Sequence, residues 1–119
     1  MARVADFVQF SDSPISLAIG ADIDRAFTKN IDATPASGEG AVLKWMVWRS
    51  GTGNVTYEVR VNGNAINTYT VTLADRVAVH ETISTDDIHL GNNTVVFEVK
   101  SGTATLSVAD TVLLYRQDT

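Results

Sequence analysis

The chain has 119 residues, 45% hydrophobic and 19% charged, which predicts one folded domain over residues 1–119 rather than a disordered segment. A net charge of −5 with nine scattered Lys and Arg argues against a phosphate backbone as partner, so no nucleic acid is expected, and an acidic surface suits cations or neutral ligands. The absence of cysteine excludes disulfides, thiol catalysis and thiolate metal sites, and no apolar run approaches the ~20 residues of a spanning helix, so no membrane insertion is expected.

At the N-terminus, Met1 to Phe7 places Asp6 where the apolar stretch of a secretory signal would lie, so no signal peptide is read. With Met1 at one end and the polar Arg116-Gln117-Asp118-Thr119 at the other, the chain reads as a complete small protein, its compartment open between extracellular and particle-surface settings. Val4 to Phe10 and Ile15 to Ile19 predict strands, and Asp22 to Phe27 predicts either a strand or one helical turn. Thr28 to Gly40, with Pro35, Ser37, Gly38 and Gly40, predicts a long connection. From Ala41 onward β-branched and aromatic residues cluster between Gly and Asn punctuation.

Val42 to Arg49 predicts a strand with Leu43, Trp45 and Val47 on one face and Lys44, Met46 and Trp48 on the other. Tyr57, Val59 and Val61 then alternate with Glu58 and Arg60. Asn62-Gly63 supplies the pair of positive-φ residues that a tight hairpin needs before Ile66 to Leu73 returns. Further strands are predicted at Val77 to Ile83, Thr94 to Lys100, Thr103 to Val108 and Thr111 to Tyr115, with Asp110 as a turn between the last two. The expected architecture is all-β, an antiparallel β-sandwich.

Three stretches carry a family likeness: Val61-Asn62-Gly63, Asp87 to Phe97 with its Leu90-Gly91-Asn92-Asn93-Thr94-Val95, and Leu106 to Tyr115 with its Asp110. In that order they resemble galactose-binding-like jelly-roll domains, which include many carbohydrate-binding modules, over about Val42 to Tyr115. The resemblance implies a jelly-roll sandwich and a noncatalytic binding role. It also implies a structural calcium, since some of those modules place a last-strand carboxylate at the position of Asp110 and complete it from the first strand, where this chain offers Asp6 and Gln9. Calcium wants six to eight oxygens, so backbone carbonyls and water would have to join them.

For ligand binding, Trp48 beside the Arg49-to-Asn54 loop offers an aromatic face for a sugar ring, with Arg49, Asn54 and Tyr69 for its hydroxyls. The alternative buries both tryptophans in a sheet covered on two sides. His80, Glu81, Asp86, Asp87 and His89 form the densest titratable cluster. His80 and Glu81 point to opposite faces of a strand, so the cluster reads as solvated charge. No nucleophile set or carboxylate pair can be placed, so no catalytic residues are assigned. Two functional readings follow. One is a carbohydrate-binding module; the other is a self-assembling subunit of a virion, tail or filament, in which copies of the chain pair through sheet edges or through a donated Val4-to-Phe10 strand.

Overall fold

The computed structural model describes residues 3–118; Met1, Ala2 and Thr119, on which part of the terminal reading rests, lie outside the described residues. The chain runs through β1 (Arg3–Ser11), β2 (Ile15–Leu17), β3 (Asp24–Ile31), β4 (Ala41–Ser50), β5 (Val55–Val61), β6 (Asn64–Val71), β7 (Val77–Ile83), β8 (Gly91–Gly102) and β9 (Thr105–Asp118). One sheet has the order β1-β9-β4-β7, with β2 also pairing with β9; the other has the order β3-β8-β5-β6. Every pairing is antiparallel.

Alternation decides what fills the space between the sheets. Leu43, Trp45 and Val47 of β4, Val55, Tyr57, Val59 and Val61 of β5, and Val95, Phe97 and Val99 of β8 are all buried, while their neighbours face outward. Each of the larger ones removed from water contributes about 1.5–3 kcal/mol. Trp45 Nε1 donates to the Tyr57 hydroxyl at 2.9 Å, which satisfies both polar atoms inside the core, and the ring packs edge-on to Phe97 at 5.6 Å between centroids.

The hairpin at Asn62-Gly63 forms as expected, with φ of 50° and 84° at the two turn residues. Its asparagine does more than turn. The Asn62 amide donates to the Asp87 carbonyl at 2.8 Å and accepts from the Thr94 N–H at 2.9 Å. It also donates to Asn93 Oδ1 at 2.8 Å, and the fully buried Asn93 accepts from the His89 N–H and donates to the His89 and Gly91 carbonyls. The motifs that carry the family likeness are therefore two amides that lock the β5–β6 hairpin to the entry of β8.

Three expectations change. Asp22 to Phe27 resolves to a strand, and β3 runs on to Ile31 into the expected connection, because Thr28 to Ile31 find partners on β8. The two expected final strands are one, β9, and Asp110 is a bulge within it, not a turn between strands. Lys44 pairs with Val112 and Met46 with Ala109, so two β9 residues oppose Trp45, and Asp110 takes φ 54° to absorb the extra residue. Finally, β1 pairs along β9 from Arg3 opposite Asp118 to Ser11 opposite Thr111, so in this structure the first strand completes its own sheet.

Candidate functional site

Trp45 and Trp48, three residues apart on one strand, leave β4 on opposite faces, and because Trp48 is only half-buried the reading that buries both does not hold. Trp45 is fully buried. Trp48 is half-buried on the outer face of the first sheet, in line with Met46, Lys44 and Val42. Opposite these four stand Ser107, Ala109, Val112 and Leu114 of β9, and opposite Met46, Lys44 and Val42 stand Ala78, His80 and Thr82 of β7.

The register that pairs Val47 with Val77 brings Arg76 across from Trp48, and its guanidinium carbon lies 4.0 Å from the indole centroid. Ser107, the β9 partner of Trp48, is buried although it faces outward, as an indole lying along the sheet would leave it. The result is an aromatic platform set among small side chains and capped by a cation. At the other end of the face, Val42, Leu114, Thr82, Glu39 and Arg116 line an open cleft of about 400 Å³.

The other expected site residues lie elsewhere. Arg49 braces the neighbouring loops, donating from Nε to the Thr72 carbonyl and from Nη1 to the Gly51 carbonyl, both at 3.0 Å. Asn54 is exposed before β5, and its carbonyl accepts from the N–H groups of Thr103 and Ala104. Tyr69 lies on the inner face of β6, stacked on Tyr57 at 5.3 Å, in an edge crevice of about 200 Å³ between β6 and β7. Its hydroxyl donates to Glu81, which also accepts from the Asn67 amide at 3.1 Å. Burial, and then the Glu81 carboxylate, push the tyrosine well above its ordinary range; the same hydrogen bond holds Glu81 below its own. Trp48 and Tyr69 thus serve different surfaces.

Asp6 and Asp110 are not brought together. Asp6 pairs with Tyr115, five residues along β9 from Asp110, a separation of roughly 16 Å at strand rise. Its carboxylate already accepts from the Phe7 N–H at 2.7 Å and from the Tyr115 hydroxyl at 3.4 Å. Burial and this carboxylate raise Tyr115 to about 12. One calcium cannot span that pair, and among the described residues no three His, Cys, Asp or Glu gather as a metal site.

No protein-family model and no curated protein matches the chain. Solved structures do. The chain superposes on dimeric latent PorU from Porphyromonas gingivalis with a TM-score of 0.73 at 9% identity, over 99% of this chain and only 13% of that one. It superposes on the CBM36-1 domain of a multidomain xylanase from the hindgut metagenome of Trinervitermes trinervoides with a TM-score of 0.62 at 9% identity, covering 93% and 96% of the two chains. A carbohydrate-binding module CBM36 in complex with calcium and xylotriose gives 0.59 at 12% identity, covering 94% and 98%. The chain has the carbohydrate-binding-module jelly-roll fold.

Within this jelly roll, Arg76 is the site residue that sequence reading misses. It lies 28 positions from Trp48, a separation that reads directly from the numbering. Nothing local announces the contact, which exists only because β7 pairs with β4 across two intervening strands of the other sheet.

Proposed function

We propose that the chain is a noncatalytic carbohydrate-binding module acting outside the cell or at a particle surface, with the outer face of the first sheet as its binding surface. The observation that carries this reading is the half-buried Trp48, held by Arg76 among Met46, Ser107 and Ala78. Arg76 occupies one face of the indole, so a pyranose would lay its C–H face against the indole edge and the flat guanidinium stacked on it, and the Arg and Lys donors around them would meet the hydroxyls. The fold shared with carbohydrate-binding modules, one of them crystallised with xylotriose, supports the same reading. Arg49 then keeps the loops beside the platform in place, Asn54 stands at their rim, and Tyr69 closes the adjoining edge. The assembly reading finds no support in the comparisons.

The test is binding of the whole chain to a panel of immobilised polysaccharides and oligosaccharides, with Trp48→Ala alongside. At least one glycan should be retained and released by Trp48→Ala by tenfold or more, while the melting temperature moves by only a few degrees, since a stacked surface cation contributes about 0.5–1 kcal/mol. Retention that survives Trp48→Ala, or a panel with no binder, overturns the reading.

A further inference from the structure

On an acidic chain, the half of this face built from β4 and β7 is basic. Its outward residues are Val42, Lys44, Met46 and Trp48 of β4 and Ala78, His80 and Thr82 of β7, with Arg76 over the indole, and none is a carboxylate. The carboxylates that border it are Asp75 in the loop before Arg76, Asp110 at the β9 bulge, and Glu39 and Asp6 at the cleft beyond Val42 and Thr82. Neither Lys44 nor Arg76 forms an ion pair with a carboxylate among the described residues.

The opposite outer face is arranged otherwise. There Arg60 meets Glu58 at 2.6 Å and Glu98 at 2.5 Å, and Lys100 meets Glu98 at 3.1 Å, so each cation is matched. Arg76 and Lys44 thus stand together on one outer face of a chain whose net charge is −5, with the Arg76 guanidinium held against Trp48. A guanidinium stacked on an indole has its plane fixed and its N–H edge left for a planar, two-oxygen acceptor. Lys44 stands four residues along the same strand, roughly 13 Å away.

Building on the carbohydrate-binding reading, we infer that the ligand is an anionic glycan chain, whose carboxylate or sulfate groups are met by Arg76 beside Trp48 and by Lys44 further along β4. The anion replaces water at donors that no protein acceptor occupies, and the neutral ring faces rest on Trp48 and Met46.

Calorimetric titration of the whole chain with tetragalacturonate and with its methyl ester compares ligands that differ in charge at the same length. The acid should bind about tenfold tighter, the difference expected of one charge-assisted contact. Arg76→Gln and Lys44→Gln should each bring the acid's affinity down toward that of the ester. Lys29→Ala, on a strand of the other sheet, should leave the preference in place. A sulfated galactan of equal length that binds better still, with the same dependence on Arg76, supports the inference and names the anion as sulfate. Equal binding of acid and ester overturns it, and the carbohydrate reading survives if the ester is bound through Trp48. A short oligonucleotide bound as tightly, with the same dependence on Arg76 and Lys44, overturns it as a glycan site. If no sugar of either charge binds, the carbohydrate reading falls with it.

Discussion

The two outer faces of this sandwich solve the same problem in opposite ways. On the second sheet polar groups answer each other: Thr28 bonds Thr94 at 2.8 Å, Thr56 bonds Thr70 at 2.9 Å, and Arg60 and Lys100 bridge Glu58 and Glu98. On the first sheet Trp48, Lys44, Leu114 and Phe7 face solvent, Leu114 at 44% and Phe7 at 63% exposure, and neither Lys44 nor Arg76 pairs with a carboxylate among the described residues. A face whose groups are satisfied within the chain gains little from a ligand. A face with apolar area and unmatched donors gains both burial and hydrogen bonds when one arrives. The proposal that the first sheet is the binding surface rests on this difference between the faces more than on any single residue.

The sharpest way to break that comparison is on β4 itself, where one strand serves the core with one tryptophan and the surface with the other. Trp45→Ala removes a fully buried ring and leaves the buried Tyr57 hydroxyl without its donor. The expected loss is about 3–5 kcal/mol in chemical denaturation, with both faces lost together as the sandwich opens. A loss no larger than that of Trp48→Ala would show that the two sides of β4 are not divided as described.

The second largest effect falls on the second sheet alone. Asn93→Ala deletes two accepted and two donated hydrogen bonds at a fully buried site and frees the loop between His89 and Gly91. About 2–3 kcal/mol of stability should be lost. Binding at the Trp48 face, measured well below the midpoint, should remain, because the side-chain hydrogen bonds of Asn62 and Asn93 all go to each other, to β8 and to the segment leading into it. Lost binding with the fold intact would place the ligand at the hairpin end of the second sheet.

These two variants also mark what was legible in the sequence. Alternation over Val42 to Arg49 and Tyr57 to Val61 shows in one dimension which residues share a face, so the sandwich, the core tryptophan and the Asn62-Gly63 hairpin could be read directly. Asn93 could be recognised as part of a family-like motif, but not as a buried clamp, because the partner that ties it to the hairpin, Asn62, lies 31 positions away. The proposed site was legible only as far as Trp48. Arg76 reaches it through the β4–β7 register, and Tyr69 is drawn away from it by facing inward on β6, and both depend on strand order that periodicity does not encode. The gathering of Lys44 and Arg76 from a chain whose cations look scattered has the same cause.

A smaller effect of opposite sign is expected in the first sheet. Thr111 is fully buried next to the Asp110 bulge, and its hydroxyl is the one buried side-chain polar atom without a partner among the described residues. Thr111→Val keeps the β-branched shape that suits a strand and removes the unpaired group. Stability should rise by about 1 kcal/mol, with the bulge and the outer face unchanged. A fall in melting temperature would mean that the hydroxyl is satisfied in solution and that the bulge depends on it.

The smallest effect tests the self-satisfied face by pH. The Arg60 hydrogen bond, followed by that of Lys100, holds the Glu98 carboxyl below its ordinary range, and Tyr69 does the same for Glu81 at the open edge. Carboxylates lowered in the folded state stabilise it at pH above their unfolded values, and that contribution disappears as pH falls through the folded ones. Stability should therefore hold near neutrality and decline below about pH 4.5, with added salt weakening the Glu98 share because Arg60 and Glu98 are still partly exposed. Glu98→Gln should flatten part of the acid decline at a cost of no more than about 1 kcal/mol at neutral pH. An unchanged acid slope in that variant would show that the network organises the second face without stabilising it, and the contrast between the faces would then rest on geometry and not on energy.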